Sequence, residues 1–159
     1  MTELGAPAAS AEVSIDADAD TIYALITDLP TLATLAEEAE AMSWVKGDAV
    51  RPGAVFKGRN RNGRRTWSTT CTVSDAEPGH LFAFDVRYTV LPIARWRYDI
   101  SSDGPGRCRV VESTWDQRPG WFSHLAGITT GVHDRVTANT QHIQATLGRL
   151  KERAEAATR

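Results

Sequence analysis

The sequence predicts an α+β fold in which a curved antiparallel sheet of six to seven strands wraps around a long C-terminal helix. Two observations predict it. Between residues 42 and 117, short runs of alternating apolar and polar residues are separated by Gly- and Pro-containing turns, which is typical of an antiparallel meander. After Pro119-Gly120, apolar residues recur at helical spacing to the end of the chain. Two short helices are expected after a first strand.

The first forty residues predict that strand and those helices. Residues 1–10 are rich in Ala, Pro and Ser and are expected to be disordered, whereas residues 11–17 alternate apolar and polar side chains as a half-buried strand does. Asp18 is a helix N-cap candidate. Because proline disfavours a helical residue before it, the pattern breaks at Pro30, and a second helix is expected over residues 31–38.

The remaining elements follow from turn residues and spacing. Asn62-Gly63 between two alternating runs is a strong hairpin signal. Further strands are expected over residues 42–45, 54–60, 64–75, 80–88, 93–101 and 107–116. Two sets of residues spaced seven apart form the stripe of the last helix: Leu125, Val132, Asn139 and Thr146, and Thr129, Val136, Ile143 and Leu150.

Composition bounds the function. A chain of 159 residues predicts one domain, over residues 11–155, and the net charge of −2 argues against nucleic acid as a partner. No apolar run is long enough to span a membrane, and the N-terminus lacks the features of a secretory signal. The two cysteines form no CxxC motif. We therefore expect a cytoplasmic protein without stable membrane insertion, and the choice between monomer and homodimer stays open.

Strand parity places an aromatic face under the helix. Side chains of adjacent strand residues point to opposite faces, so Phe82, Phe84, Trp96 and Tyr98 share one face. Polar atoms fall on that same face, namely those of Thr69, Cys71, Tyr88, Tyr98 and Asn139. Buried polar groups without partners cost about 1–3 kcal/mol each. The pattern therefore favours a ligand cavity over a filled core, which remains the alternative.

Three side chains are candidates for chemistry in such a cavity. If Val110 faces inward, so does Glu112, and a carboxyl group in an apolar cavity is suited to acid–base work. Tyr98 is the second catalytic candidate, and Asn60 is a donor for a ligand carbonyl. The alternatives are that Glu112 pairs with an arginine or lies at the rim, and that Asn60 bonds to turn backbone.

One segment is strongly basic, and no cofactor motif is present. The predicted hairpin over residues 57–65 carries five cations: Lys57, Arg59, Arg61, Arg64 and Arg65. These predict either a site for an anionic partner or a solvated sheet edge. Motifs typical of serine hydrolases, NTPases, dinucleotide enzymes and metal centres are absent from the sequence. No metal and no cofactor are therefore expected.

The order of elements and the local sequence resemble the START/Bet v 1-like (SRPBCC) superfamily, in particular its bacterial polyketide cyclase/dehydrase and lipid transport branch. The resemblance spans about residues 11–153. The stretches that carry it are Val13–Ala17 with Tyr23 and Asp28, Phe56–Asn60 with Gly63 and Trp67, Glu77–Gly79 before Phe82–Phe84, Trp96–Tyr98 before Gly106, and Val110–Glu112.

The resemblance implies a helix-grip fold with a deep cavity between the sheet and the last helix. It implies binding or transport of a small hydrophobic ligand, such as a lipid or a polyketide-like molecule. The residues then expected to contact the ligand are Phe56, Asn60, Trp67, Thr69, Cys71, Phe82, Phe84, Tyr88, Trp96, Tyr98, Glu112, Leu125, Thr129, Val132, Val136 and Asn139. A polyketide aromatase/cyclase that uses Glu112 and Tyr98, and an interaction module that uses the basic hairpin, are the alternatives.

Overall fold

The computed structural model describes residues 4–121 and 135–158, except for the side chains at positions 135 and 136. In this part of the chain, seven strands form one antiparallel sheet in the order β1-β7-β6-β5-β4-β3-β2. The strands are β1 (Ala9–Ile15), β2 (Ala39–Lys46), β3 (Val55–Asn62), β4 (Arg65–Glu77), β5 (Leu81–Tyr88), β6 (Leu91–Ser102) and β7 (Cys108–Asp116). The helices are α1 (Ala19–Ile26), α2 (Leu29–Leu35) and α3 (Arg135–Ala157). The predicted helix-grip architecture is confirmed.

The first strand begins earlier than its alternation indicates. β1 starts at Ala9, inside the segment that we expected to be disordered, and its register pairs Ala9 with Thr114 of β7. The Ala8 amide donates to the Thr114 carbonyl at 2.8 Å, and the Trp115 indole donates to the Gly5 carbonyl at 2.7 Å. The backbone of β7 orders this segment, so its own composition is a poor guide.

The second helix corrects a boundary. α2 begins at Leu29 and not at residue 31, with Pro30 in its first turn. Proline is tolerated there because the first-turn amides have no partner inside the helix. The Asp28 side chain caps the helix by accepting from the Thr31 amide at 3.2 Å. At α1, Asp18 occupies the predicted N-cap position, but its side chain makes no capping hydrogen bond.

The predicted hairpin between β3 and β4 is present with its turn shifted by one residue. Asn62 pairs with Arg65, so the two-residue loop is Gly63-Arg64 and not Asn62-Gly63. Gly63 has a φ of 63°, a left-handed conformation that glycine adopts without a Cβ penalty. Tight two-residue turns need this conformation at the first loop position.

The two faces of the sheet differ as parity predicts. On the outer face, Arg95 donates to Asp85 at 2.7 Å and Arg97 donates to Asp99 at 2.9 Å. The inner face is covered by α3, whose buried Ile143 and Leu150 lie on the predicted stripe. One face is solvated and the other packed, as is common in antiparallel sheets.

The solid part of the core lies toward the end of the sheet where β1 leads into α1. Phe56 and Phe82 are fully buried there with Ile22 and Leu150. The ring of Phe56 meets Phe84 edge-on, with centroids 5.3 Å apart. No helix in the described ranges is both long and apolar enough to cross a membrane. The other end of the sheet is where the interior opens.

Candidate functional site

A cavity of about 210 Å³ lies between the inner face of the sheet, α3 and the segment that connects α2 to β2. The sheet contributes its aromatic wall, including Trp67, Phe84 and Trp96, and α3 contributes Asn139 and Thr146. The strands position these side chains because every second residue faces inward. The result is a largely apolar chamber with a small number of polar groups, as is typical of ligand sites.

Most of the predicted contact residues that the structure describes line this cavity. They are Asn60, Trp67, Thr69, Cys71, Phe84, Tyr88, Trp96, Tyr98, Glu112 and Asn139. Phe56 and Phe82 belong instead to the packed core, although both face inward. Leu125, Thr129 and Val132 lie outside the described residues, and Val136 is described without its side chain.

Glu112 and Tyr98 form a pair on the cavity wall. The two residues are direct cross-strand neighbours on β7 and β6, so their side chains lie side by side on the inner face. The Tyr98 hydroxyl donates to Glu112 Oε1 at 2.8 Å. Both residues are buried, with 3% of each exposed. Within the described residues, Glu112 Oε2 is buried and has no hydrogen-bond partner, and Glu112 is one of the residues that line the cavity.

Burial sets the protonation of this pair. Desolvation raises the pKa of Glu112 to about 8, although the hydrogen bond from Tyr98 acts in the opposite direction. Desolvation, and then the nearby Glu112, raise the pKa of Tyr98 well above its usual value. Both groups are therefore protonated at neutral pH. Because Oε1 accepts from Tyr98, the carboxyl proton belongs on Oε2, the oxygen without a partner.

Glu112 and Asn60 each form a hydrogen bond with a side chain, and neither has the alternative partner or position considered from the sequence. Glu112 pairs with a tyrosine and not with an arginine, and it is buried rather than at a rim. Asn60 Nδ2 donates to Thr69 Oγ1 at 3.2 Å across the β3–β4 pair. A Cβ at Gly58 would lie 3.1 Å from that same Oγ1, so glycine leaves room for the bridge.

Cys71 adds an inert thiol to the wall. It is buried opposite Phe56 in the register of β3 and β4. Burial raises the pKa of its thiol to about 12, and the hydrogen bond from Thr69 lowers it only in part. A thiol in this state is a poor nucleophile, because the thiolate is the reactive form.

Part of the wall comes from a segment that strand parity does not reach. Residues 36–38, between α2 and β2, line the cavity together with Ala39 at the start of β2. Glu38 of this segment lies 3.3 Å from Nδ1 of His142 on α3. His142 is three residues after Asn139, so helical spacing was a usable signal for it, whereas the placement of residues 36–39 depends on tertiary packing.

An ion pair lies at the open end of the cavity. Arg118 Nη2 donates to Asp116 Oδ2 at 2.7 Å, and both residues line the cavity. No group of three His, Cys, Asp or Glu side chains in the described ranges is placed to hold a metal ion. The chemistry available from these residues is therefore apolar contact, hydrogen bonding from Glu112 and Asn60, and proton transfer at one buried carboxyl.

Comparison with known proteins identifies relatives over nearly the whole chain. The model of a family described as polyketide cyclase / dehydrase and lipid transport matches residues 7–155. The crystal structure of a Deinococcus radiodurans protein has a TM-score of 0.66 at 16% identity, with 94% of this chain and 98% of that chain covered. The solution structure of a polyketide cyclase-like protein from Corynebacterium glutamicum has a TM-score of 0.62 at 24% identity, covering 98% and 96%.

A larger protein shares the fold with one part of its length. The di-domain ARO/CYC StfQ from the steffimycin biosynthetic pathway has a TM-score of 0.67 at 9% identity, with 94% of this chain and 45% of that chain covered. These identities are low, so the solved structures establish a shared fold and no shared ligand. No curated protein matches the sequence.

Proposed function

Because this chain belongs to the polyketide cyclase/dehydrase and lipid transport family, we propose that it binds a small ring-containing ligand with a carbonyl oxygen in the cavity between the sheet and α3. The observation that carries the proposal is the buried Glu112–Tyr98 pair in the lining of the chamber, whose Oε2 has no hydrogen-bond partner among the described residues. The aromatic wall supplies the binding energy, and the carboxyl group orients the ligand.

The cavity volume limits the ligand. An apolar cavity of about 150 Å³ is known to hold one benzene molecule, and pockets for drug-sized ligands begin near 300 Å³. At about 210 Å³, this chamber suits one ring or two fused rings. A ligand of that size is rigid and loses little conformational entropy on binding.

The protonation of Glu112 selects the polar group of the ligand. A protonated Oε2 donates a hydrogen bond, and its complement is an acceptor without a proton of its own, such as a ketone. Leaving that donor unpaired in an apolar chamber costs about 1–3 kcal/mol, which a carbonyl group recovers. A pure hydrocarbon leaves the donor unpaired.

Calorimetric titration with 1-tetralone tests the proposal against tetralin, which has the same ring system without the carbonyl. We expect 1-tetralone to bind about fivefold more tightly, because one hydrogen bond contributes about 1 kcal/mol. Ala94 lines the cavity, so Ala94→Phe should fill it and abolish binding. Ala24→Phe on the exposed face of α1 is the matched control. Equal binding by both Phe variants would place the ligand elsewhere.

An aromatase/cyclase is the second candidate, favoured by the same buried acid. Two structures that share the fold are di-domain ARO/CYC proteins of the steffimycin and BE-7585A pathways. In this chain, ionised Glu112 would take a proton from the carbon between two carbonyls. The resulting enolate would attack another carbonyl carbon, and Glu112 would return the proton to the new alkoxide oxygen, which becomes a hydroxyl. Loss of a second α-proton with that hydroxyl would release water.

Turnover separates the two functions. If the chain is a cyclase, a synthetic β-polyketone thioester should give cyclised, dehydrated product by mass spectrometry, and Glu112→Gln and Tyr98→Phe should both abolish it. Ligand binding without turnover supports the carrier. The volume of about 210 Å³ favours the carrier, because an extended poly-β-ketone needs more room.

The cellular setting is part of the proposal. Cys71 and Cys108 are free and buried thiols, as expected for a protein of the reducing cytoplasm. A homodimer through the polar outer face of the sheet stays a prediction. Its test is the mass of the protein in solution by light scattering.

A further inference from the structure

Several residues that line the cavity come from one end of the sheet, which we call the mouth end. Antiparallel pairing brings to it the β3–β4 turn at residues 62–65, the β5–β6 turn at residues 88–91 and the segment after β7 at residues 117–121. Cavity residues such as Tyr88 and Arg118 come from these segments. The turns at residues 47–54, 78–80 and 103–107 lie at the opposite end.

Charge is distributed unequally between the two ends. At the mouth end, four carboxylates each lie beside a basic side chain. Glu37 pairs with Arg149, Glu38 with His142, Glu40 with Arg59 and Arg61, and Asp116 with Arg118. Three exposed arginines there, Arg64, Arg65 and Arg87, have no ion pair among the described residues. The opposite end carries six carboxylates against the cations Lys46, Arg51 and Arg107, the last of which pairs with Asp16; the carboxylates are Asp16, Asp18, Asp20, Asp48, Glu77 and Asp103. A charge dipole therefore runs along the cavity axis.

Exposed apolar side chains accompany the unpaired arginines. In the described part of the chain, three large apolar residues are more than half exposed, and two of them, Val90 and Trp121, lie at the mouth end. Val90 is 82% exposed at the apex of the β5–β6 turn, and Trp121 is 63% exposed. Val45, the third, lies near the opposite end of β2.

We propose that the mouth end docks onto the surface of a bilayer that contains anionic lipids. Arginines near such a surface are attracted to its negative potential, and the charge dipole turns the cavity mouth toward it. Tryptophan and other apolar side chains are stable at the level of the lipid headgroups. Docking would bring the cavity mouth against the membrane, without any part of the chain crossing it.

The arrangement of the apolar residues favours a bilayer over an acidic protein. Val90 lies in the β5–β6 turn and Trp121 in the segment after β7, so the two exposed side chains come from separate segments of the chain. The β3–β4 hairpin extends further than the β5–β6 turn. Thr70 of β4 pairs with Arg87 near the end of β5, and β4 extends beyond that pair to Arg65. Separated tips can each enter a fluid surface, whereas a rigid protein partner must match all of them at once.

Vesicle co-sedimentation tests the charge requirement. The full chain should bind vesicles of phosphatidylcholine mixed with phosphatidylglycerol, and bind pure phosphatidylcholine vesicles at least about tenfold more weakly. The Arg64→Glu/Arg65→Glu variant should lose at least about tenfold in affinity, because each arginine near the surface contributes roughly fivefold. Arg51→Glu/Arg107→Glu removes the same charge from the opposite end and should bind as the parent does. Equal loss in both variants would overturn the proposal.

A second pair of variants tests the apolar requirement. Val90→Ser should weaken binding to the anionic vesicles several-fold, while Val45→Ser, at a comparably exposed site, should not. Equal affinities of Val90→Ser and Val45→Ser for the anionic vesicles would contradict docking through the apolar side chains of the mouth end. This proposal is independent of the ligand. Circular dichroism of the same variants shows that they are folded, so the vesicle result stands whether or not 1-tetralone binds.

Discussion

The carboxyl group of Glu112 is buried in the cavity wall, with 3% of the residue exposed. Its ionisation makes the free energy of unfolding depend on pH. Removing a charged carboxylate from water is costly, and a single hydrogen bond from Tyr98 does not restore full solvation. The folded chain therefore holds Glu112 protonated up to a pKa of about 8, whereas an unfolded chain ionises it near 4.5. Between these two values folding requires proton uptake.

This difference predicts a loss of stability as pH rises. Below about pH 4.5, Glu112 is protonated in both the folded and the unfolded chain. Above that pH the unfolded chain loses the proton first, so the free energy of unfolding falls until the pH passes about 8, the pKa of Glu112 in the folded chain. The fall due to this residue is on the order of 4–5 kcal/mol. Glu112→Gln cannot ionise and should remove that fall. Urea unfolding at a series of pH values measures it, and an unchanged slope in the variant would refute the assignment.

At the residue scale, the sequence predicted that Tyr98 and Glu112 face the interior, but it did not predict the hydrogen bond between them. Strand parity placed Tyr98 and Glu112 on the inner face, and the structure agrees. The cross-strand register, which makes them neighbours, depends on a bulge-free alignment of β6 with β7 that parity alone does not fix. An arginine was therefore an equally good partner on sequence grounds. The same reasoning missed Gly58, which has no side chain to carry a parity signal.

At the level of elements, the start of α2 depends on one capping side chain. Asp28 accepts from both the backbone amide and the hydroxyl of Thr31. Pro30 in the first turn is compatible with this start, since it removes an amide that has no helical partner. The helix in turn holds residues 36–39, which form one wall of the cavity.

Asp28→Ala should therefore reduce the free energy of unfolding by about 1 kcal/mol, within the usual range for a lost N-cap. Asp18→Ala offers a matched control, because Asp18 occupies the N-cap of α1 without a capping bond. It should change stability by a few tenths of a kcal/mol at most. Chemical denaturation of the three proteins compares them, and equal losses in the two variants would show that the capping bond at Asp28 is not what stabilises α2.

The elements were more predictable than their ends. Seven strands, two short helices and a final helix follow from alternation, turns and the apolar stripe. The errors lie where one element's partner decides its boundary, as in β1, whose first residues are ordered by β7. At α2, the proline that reads as a helix breaker stands inside the first turn.

At the scale of the whole molecule, a mainly aromatic face and a single helix do not fill the interior. The sheet curves around α3, and where its strands project past the packed core the side chains enclose a chamber of about 210 Å³. The composition predicted an apolar interior, and the polar atoms on the inner face predicted that part of it was open. The volume and the wall at residues 36–39 required the three-dimensional arrangement of α2, β2 and α3.

The central claim is that this chamber binds a carbonyl-containing ring through protonated Glu112, and the pH dependence of 1-tetralone affinity tests it most directly. In the parent protein, affinity should be constant below about pH 7 and fall toward that of tetralin as Glu112 ionises around its pKa of about 8. In Glu112→Gln, whose amide still donates, affinity should be retained and independent of pH. A parent protein that binds 1-tetralone equally on both sides of that pKa, or not at all, would contradict the account.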